Sequence, residues 1–491
     1  MRIVGRIVIL SALLFLVAGV SVGQSGKSPV SRKKIRSVET YLKDLDALGF
    51  SGAILVAVDG KTVVSKGYGF SDEERKIKNS PKAILDIGSL TKQFTGAAIL
   101  KLEMQGRLST NDKIGKYFTN VPSDKESITL HDLLRHSSGL QSVVGGDFDK
   151  ISETEFVDKV FASPLRFQPG TRFSYSNIGY SLLALIIEKV SGGTYENYLY
   201  NDLFKPAGME LTGYSRPAFD KEFIAVGYRG GERWGTPLDK AWDGDAPYLH
   251  LKGNGGILST TEDLLKWDKA LAGDAILSKE AKQKYYFPVL RSNETGRAHY
   301  GYGWDVFKTD RGTTRVRHNG TNNVFYSDFY RFIDENVTII LLSNRWQRSF
   351  NATAREISRT LFEDYSPKVP ILETPANLAF TKDLIELTLS SGADAAAARL
   401  QKRAKGTELL EDTVNGRGYD LFEEKKFKEA IELFRLNTIA FPRSANAFDS
   451  LGEAYLESGN NAAAIENYRK SLSLDSENEY AQNVLKRLAA N

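Results

Sequence analysis

Cysteine is missing from all 491 residues, and with it go disulfides, thiolate zinc sites, iron–sulfur clusters and a thiol nucleophile. Any covalent catalysis needs another nucleophile. An excess of one charge is missing too: 65 Lys and Arg stand against 61 Asp and Glu, and a formal charge of +4 is too slight for a nucleic-acid footprint. Histidine is scarce, with 5 in the chain. His131 and His136 are not one helical turn apart, no Glu follows His131, and His250 and His299 have no near partner, so no metal site and no cofactor are expected.

Long apolar runs are confined to the start. Met1-Arg-Ile-Val-Gly-Arg6 is basic, Ile7 to Ala18 is apolar, and Ser21-Val-Gly23 supplies small residues for cleavage, the layout of a secretory signal peptide over residues 1–23. The apolar run falls short of the roughly 20 residues of a spanning helix, and no later segment reaches that length, so no stable membrane span is expected. Without a Cys after the run a lipoprotein anchor is excluded. The mature protein is expected to be secreted or periplasmic.

What is present argues for packed domains. At about 150 residues per domain the length predicts roughly three units, and 26 Phe and 22 Tyr supply cores that a disordered chain would lack. Ile35, Val38, Tyr41, Leu42, Leu45 and Leu48 recur at helical spacing. Two strands, Gly52 to Val58 and Thr62 to Tyr68, flank Asp59-Gly60, the dipeptide of a tight hairpin. Thr313 to Arg317, Val324 to Phe332 and Val337 to Leu342 read as further strands, with a helix from about Ala352 to Phe362. Strands at both ends of one unit enclose a helical middle, which predicts an antiparallel sheet of five or so strands flanked by helices.

Three prolines within residues 366–375 mark a linker, so that residues 24–365 form one domain and residues 376–491 another. The latter is all helical. At a shift of 34, Gly418 aligns with Gly452, Leu421 with Tyr455, Ala430 with Ala464 and Phe434 with Tyr468. This resembles the tetratricopeptide repeat, whose small residues let two helices approach while large ones fill between them. Leu387, Ala396 and Leu400 fall in register one step earlier, but Leu384 occupies the glycine position, so a first repeat is degenerate. Such a tail could hold a protein or peptide partner, cover the first domain or pair two chains.

Three segments could carry chemistry. Ser89 and Lys92 stand three apart at the start of a helix running through Ala97, Ile99 and Leu100, which puts both side chains on one face. A serine hydroxyl needs a base to become a nucleophile, and a lysine supplies one only where burial lowers its pKa. Read alone, the pair also fits a capping serine with an exposed lysine. Tyr175 and Asn177 lie two apart in a turn before a helix from Tyr180 to Val190. A phenol beside an amine can shuttle protons, and a carboxamide can grip an amide; both also fit a loop cap. The third segment, Arg317-His-Asn-Gly-Thr321, ends a predicted strand. Gly320 would admit a ligand to the backbone, the Thr321 N–H could face an oxyanion, and His318 could bind substrate, or the segment is a turn with an exposed histidine.

Taken together, in this order and spacing, these segments resemble the serine β-lactamase and penicillin-binding protein family, in particular its class C β-lactamase and D-alanyl-D-alanine peptidase branch. Leu133 to Leu140, Gly253 to Asp263 and Tyr300 to Trp304 resemble it as well, and the likeness covers roughly Lys34 to Phe362. The resemblance implies an α/β (α+β) β-lactamase/transpeptidase-like fold with a helical subdomain, followed here by the all-α tetratricopeptide-like domain. It implies acylation of Ser89, proton transfers shared by Lys92 and Tyr175, and substrate binding by Asn177, His318, Gly320 and Thr321, with an oxyanion hole from the Ser89 and Thr321 N–H groups. The expected substrate is a small molecule, a peptide ending in D-amino acids or an ester. His318 stands where class C β-lactamases usually carry lysine, which weakens the hold on a substrate carboxylate. A true β-lactamase and a non-catalytic penicillin-binding-like sensor or scaffold are the alternatives.

Overall fold

Two unbroken apolar runs build the centre of the sheet. In the computed structural model, which describes residues 30–229, 232–240, 242–243, 246–287, 290–291, 298–475 and 478–489, they are β1 (Gly52–Val58) and β8 (Val337–Ser343), each buried along its whole length. The segment read as a signal peptide lies outside the described residues. Alternation sends Leu55, Ala57, Ile340 and Leu342 to one face and Ile54, Val56, Ile339 and Leu341 to the other. A strand that is apolar on both faces needs cover on both, and each such side chain contributes about 1.5–3 kcal/mol when fully buried. Helices α1 (Arg32–Ala47) and α5 (Thr353–Phe362) close one face. Helices α2 (Thr91–Met104), α3 (Asn177–Ser191) and α4 (Thr261–Ala272) belong to the core on the other.

Besides β1 and β8 the sheet contains β2 (Lys61–Tyr68), β3 (Leu290–Arg291), β4 (Ala298–Tyr300), β5 (Asp305–Lys308), β6 (Thr314–Thr321) and β7 (Tyr326–Phe332). Their order is β3-β4-β5-β6-β7-β8-β1-β2, with every neighbouring pair antiparallel. The sheet thus has eight strands rather than five or so. The additional ones, β3 to β5, span only two to four residues each, too few for an alternating pattern to register. At the β1–β2 hairpin both turn residues take positive φ, Asp59 at 51° and Gly60 at 68°, which is the type I′ geometry an Asp-Gly pair favours.

From residue 375 onward the described elements are helices: α6 (Pro375–Ser391), α7 (Ala393–Gln401), α8 (Glu411–Glu423), α9 (Phe427–Ala440), α10 (Ala445–Glu457), α11 (Asn461–Leu474) and α12 (Glu479–Ala489). The pair α8/α9 and the pair α10/α11 have the same lengths and are displaced by 34 residues. Equivalent glycines meet equivalent rings: a β-carbon on Gly418 would stand 2.4 Å from Phe434, and one on Gly452 would stand 3.1 Å from Tyr468. The proline-rich stretch before α6 is pinned on both sides. The Lys368 N–H donates to Glu356 in α5 at 2.7 Å, Leu372 packs on the sheet core, and Asn377 Nδ2 donates to the Leu372 carbonyl at 2.9 Å. Among the described residues no helix is long and apolar enough to cross a membrane.

Candidate active site

Three chain segments far apart in sequence meet at one edge of β6. Ser89 lies in a 3₁₀ turn, Gly88–Leu90, that leads directly into α2, and Lys92 is on the first turn of that helix. The three-residue spacing of a 3₁₀ turn aligns their side chains, and Lys92 Nζ stands 3.1 Å from Ser89 Oγ. Lys92 is fully buried and also donates to the Asn254 carbonyl oxygen at 2.7 Å. That carbonyl is fixed by its own side chain, whose Nδ2 donates to Ser181 Oγ at 3.0 Å and to the His250 carbonyl at 2.8 Å. Burial drives the Lys92 pKa well below the usual lysine range, and the Asp147 carboxylate opposes that fall.

The Ser89 turn is held from below. Asp86 is buried, accepts from the Gly88 N–H at 2.7 Å and from Asn322 Nδ2 at 3.0 Å, and has its pKa raised to about 6 by burial. Ser327 Oγ, from β7, donates to the Ile87 carbonyl at 2.7 Å. Gly88 sits at φ 51°, and a β-carbon there would stand 2.9 Å from the Thr321 amide nitrogen. One on Gly320 would stand 2.7 Å from the Ser89 amide nitrogen. The two glycines therefore let the Ser89 and Thr321 backbones approach face to face.

Tyr175 comes from the residues just before α3. Its ring lies 4.7 Å below Lys92 Nζ, and burial raises its pKa above the ordinary phenol value, an effect the neighbouring Ser89 opposes. Asn177 is the first residue of α3. Its N–H donates to the Ser142 carbonyl at 2.9 Å, and its Oδ1 is buried with no hydrogen-bond partner among the described residues.

His318 departs from its expected setting. The strand predicted to stop at Arg317 continues through Thr321, so His318 lies inside β6, with Asn319 to Thr321 paired to Asp328, Ser327 and Tyr326 of β7. It is 4% exposed, which removes the exposed-turn alternative. Its Nδ1 faces the Asn319 carbonyl at 2.6 Å and its Nε2 faces the Tyr300 hydroxyl at 2.9 Å. A carbonyl only accepts, so Nδ1 carries the proton and Nε2 accepts from Tyr300. Burial, with Lys92 nearby, pushes the pKa down to about 3, and the ring is neutral.

The structure thus brings Ser89, Lys92, Tyr175, Gly320 and Thr321 together, with His318 beside Tyr175 at a ring separation of 6.2 Å. Sequence reasoning missed the Asn254 carbonyl, the Tyr300 contact to His318 and the electrostatic reach of Asp147. Tyr300 stood in a stretch already singled out; a backbone carbonyl carries no residue signature at all.

Comparison with known proteins agrees with this geometry. The family described as Beta-lactamase matches residues 38–362. PbpX, a penicillin-binding-protein relative from Bacillus subtilis (strain 168), is 33% identical over 273 residues, covering 55% of this chain and 65% of its own length. Another penicillin-binding protein of that strain is 32% identical over 332 residues, covering 64% of this chain and 73% of its own. This chain therefore spans a little under two thirds of the first relative and somewhat more of the second. Among solved structures, the octameric penicillin-binding protein homologue from Pyrococcus abyssi aligns with a TM-score of 0.58 at 27% identity, over 74% of this chain and 84% of that one. With its sheet, its buried lysine beside a serine and a family match over most of its length, the chain belongs to the Beta-lactamase family.

Proposed function

We propose that this chain is an exported hydrolase that forms an acyl-enzyme on Ser89 and releases it to water or another acceptor. The observation that carries the reading is the 3.1 Å approach of a buried Lys92 amine to the Ser89 hydroxyl. With its pKa lowered by burial, the neutral amine takes the Ser89 proton as Oγ bonds to the substrate carbonyl carbon. The carbonyl electron pair moves onto oxygen, which the Ser89 and Thr321 N–H groups hold; losing one such donor typically lowers a rate about 10²–10³-fold. The intermediate then expels an amine or alcohol, which receives its proton from Lys92 by way of the Tyr175 hydroxyl. Since burial keeps Tyr175 protonated, it relays with its hydrogen in place and Lys92 is the base. Water reverses the sequence and frees Ser89. Asn177 holds the substrate amide through its unpartnered Oδ1.

Both ring nitrogens of His318 are engaged and the ring is neutral, so it offers no cation to a substrate carboxylate. That weakens the hold on any carboxylate-bearing substrate and tells against rapid β-lactam turnover, while the likeness to penicillin-binding proteins supports a D-alanyl-D-alanine-type peptidase or an esterase, with penicillins bound as mimics. Residues 1–23 would be the removed leader, 24–365 the hydrolase, 366–375 the linker and 376–491 a tetratricopeptide-like tail, a reading supported by the 34-residue displacement of its helix pairs. The tail is a candidate seat for a protein or peptide partner.

Intact-protein mass against time after mixing with a penicillin tests the reading, with Ser89→Ala as control and drug loss followed in parallel. An adduct on the parent protein that is absent from Ser89→Ala is expected, persisting for minutes or longer with slow drug loss. Fast drug loss would identify a β-lactamase. Neither adduct nor hydrolysis of activated esters would leave the non-catalytic scaffold.

A further inference from the structure

His136 stands outside the proposed chemistry, yet it is wrapped around the residue that relays the proton. It is 1% exposed and sits at φ 58°, a backbone region that a side chain other than glycine enters only when its surroundings require it. Its carbonyl oxygen accepts from the Ser174 N–H at 2.8 Å, and its Nδ1 accepts from the Ser176 N–H at 3.1 Å. Tyr175 is the residue between those two donors. The imidazole ring also lies against the Tyr175 ring, with centroids 4.2 Å apart and planes tilted by 36°, and against Tyr300 at 4.6 Å.

The hydrogen bonds assign the tautomer. Nδ1 accepts, so the proton of the neutral ring is on Nε2, which is buried without a partner among the described residues. A residue kept for packing alone would do better as leucine or phenylalanine, which bury no unpaired donor. Of its contacts, the Nδ1 acceptor is the one that neither leucine nor phenylalanine could supply.

We propose that His136 is the positioning residue for Tyr175: from one side chain and its own carbonyl it clamps the backbone on either side of Tyr175 and fixes the plane of its ring beneath Lys92. This rests on the acyl-enzyme reading above. A misplacement of about 1 Å can lower a rate roughly 10²-fold, so a loosened Tyr175 is a kinetic defect before it is a folding one.

The test is a double-mutant cycle on the full chain, reading the second-order rate of Ser89 acylation by a reactive penicillin or activated ester. His136→Ala is expected to slow acylation by about ten- to hundred-fold, and His136→Asn, which keeps an acceptor near the Nδ1 position, to recover much of that. In a Tyr175→Phe background the same substitutions should have little further effect, because the group they position is gone. Equal losses in both backgrounds, or no loss in the parent, would overturn the proposal. Should His136→Ala fail to fold, His136→Phe, which keeps a ring against Tyr175 but removes the Nδ1 acceptor, decides the cycle by the same criterion. A parent protein that is not acylated at all would instead sink the reading on which this rests.

Discussion

The β-carbon that Gly320 lacks would fall 2.7 Å from the amide nitrogen of Ser89 and 2.2 Å from the carbonyl oxygen of Ile87. Both are backbone atoms, so neither can swing aside. Gly320→Ala must push the 3₁₀ turn of Ser89 away from β6 and open the space between the Ser89 and Thr321 N–H groups. Acylation is expected to fall about 10²-fold or more, the loss typical of one oxyanion donor, while α2 and the sheet remain folded by circular dichroism. A rate within threefold of the parent would show that the two N–H groups do not act together.

Lys92 should be a burden on stability. Its folded-state pKa lies well below that of an exposed lysine, so across the interval between the two values the unfolded chain holds a proton that the native chain has lost. Stability therefore rises with pH through that interval, and at neutral pH burial of this amine works against the fold. Lys92→Met keeps the apolar stem and removes the ionisable end, leaving the Asn254 carbonyl without this donor. We expect a gain on the order of 1 kcal/mol in urea unfolding near pH 7, a gain that shrinks as pH is raised, and loss of Ser89 acylation. A lower midpoint would mean that the bond to Asn254 outweighs the burial.

Asp147 acts on the same amine from a distance. Its carboxylate favours the charged form of Lys92, while Lys92 in turn lowers an Asp147 pKa that burial raises. Removing the negative charge with Asp147→Asn should lower the Lys92 pKa further. Since acylation needs the neutral amine, the acid limb of the pH–rate profile should move to lower pH, with the plateau changed less than the limb. A limb that stays in place would show that Asp147 is screened from the site.

What the sequence revealed of this site was what chain neighbours determine. Ser89 with Lys92, and Tyr175 with Asn177, are short-range pairs whose spacing alone sets a shared side. His318 was harder because its surroundings are non-local: the strand runs on through Gly320 only because Asp328, Ser327 and Tyr326 of β7 pair with it, and its buried Nε2 partner, Tyr300, comes from β4. The short strands β3 to β5 are equally invisible, since they exist by pairing with neighbours rather than by pattern. The central strands were legible for the opposite reason, being apolar throughout as burial on two faces demands.

In the tail, Gly418 and Gly452 occupy the same place in successive helix pairs but do not have the same room. A β-carbon on Gly418 would enter Phe434 at 2.4 Å, against 3.1 Å from Tyr468 for Gly452. Replacing a mid-helix glycine by alanine gains about 1 kcal/mol of helix propensity, whereas overpacking costs about 1–3 kcal/mol. The overlap at Gly418 is too deep for a small ring adjustment, so Gly418→Ala should be net destabilising, with faster hydrogen exchange in α8 and α9. At Gly452 a shift of a few tenths of an ångström suffices, and Gly452→Ala should be near neutral. Ser89 acylation should be unchanged in both, because the hydrophobic cluster of these helices is separate from the clusters that cover the sheet. Equal effects at the two glycines would mean that the helix pairs adjust their separation freely, and that the shared register does not bring a shared tightness of packing.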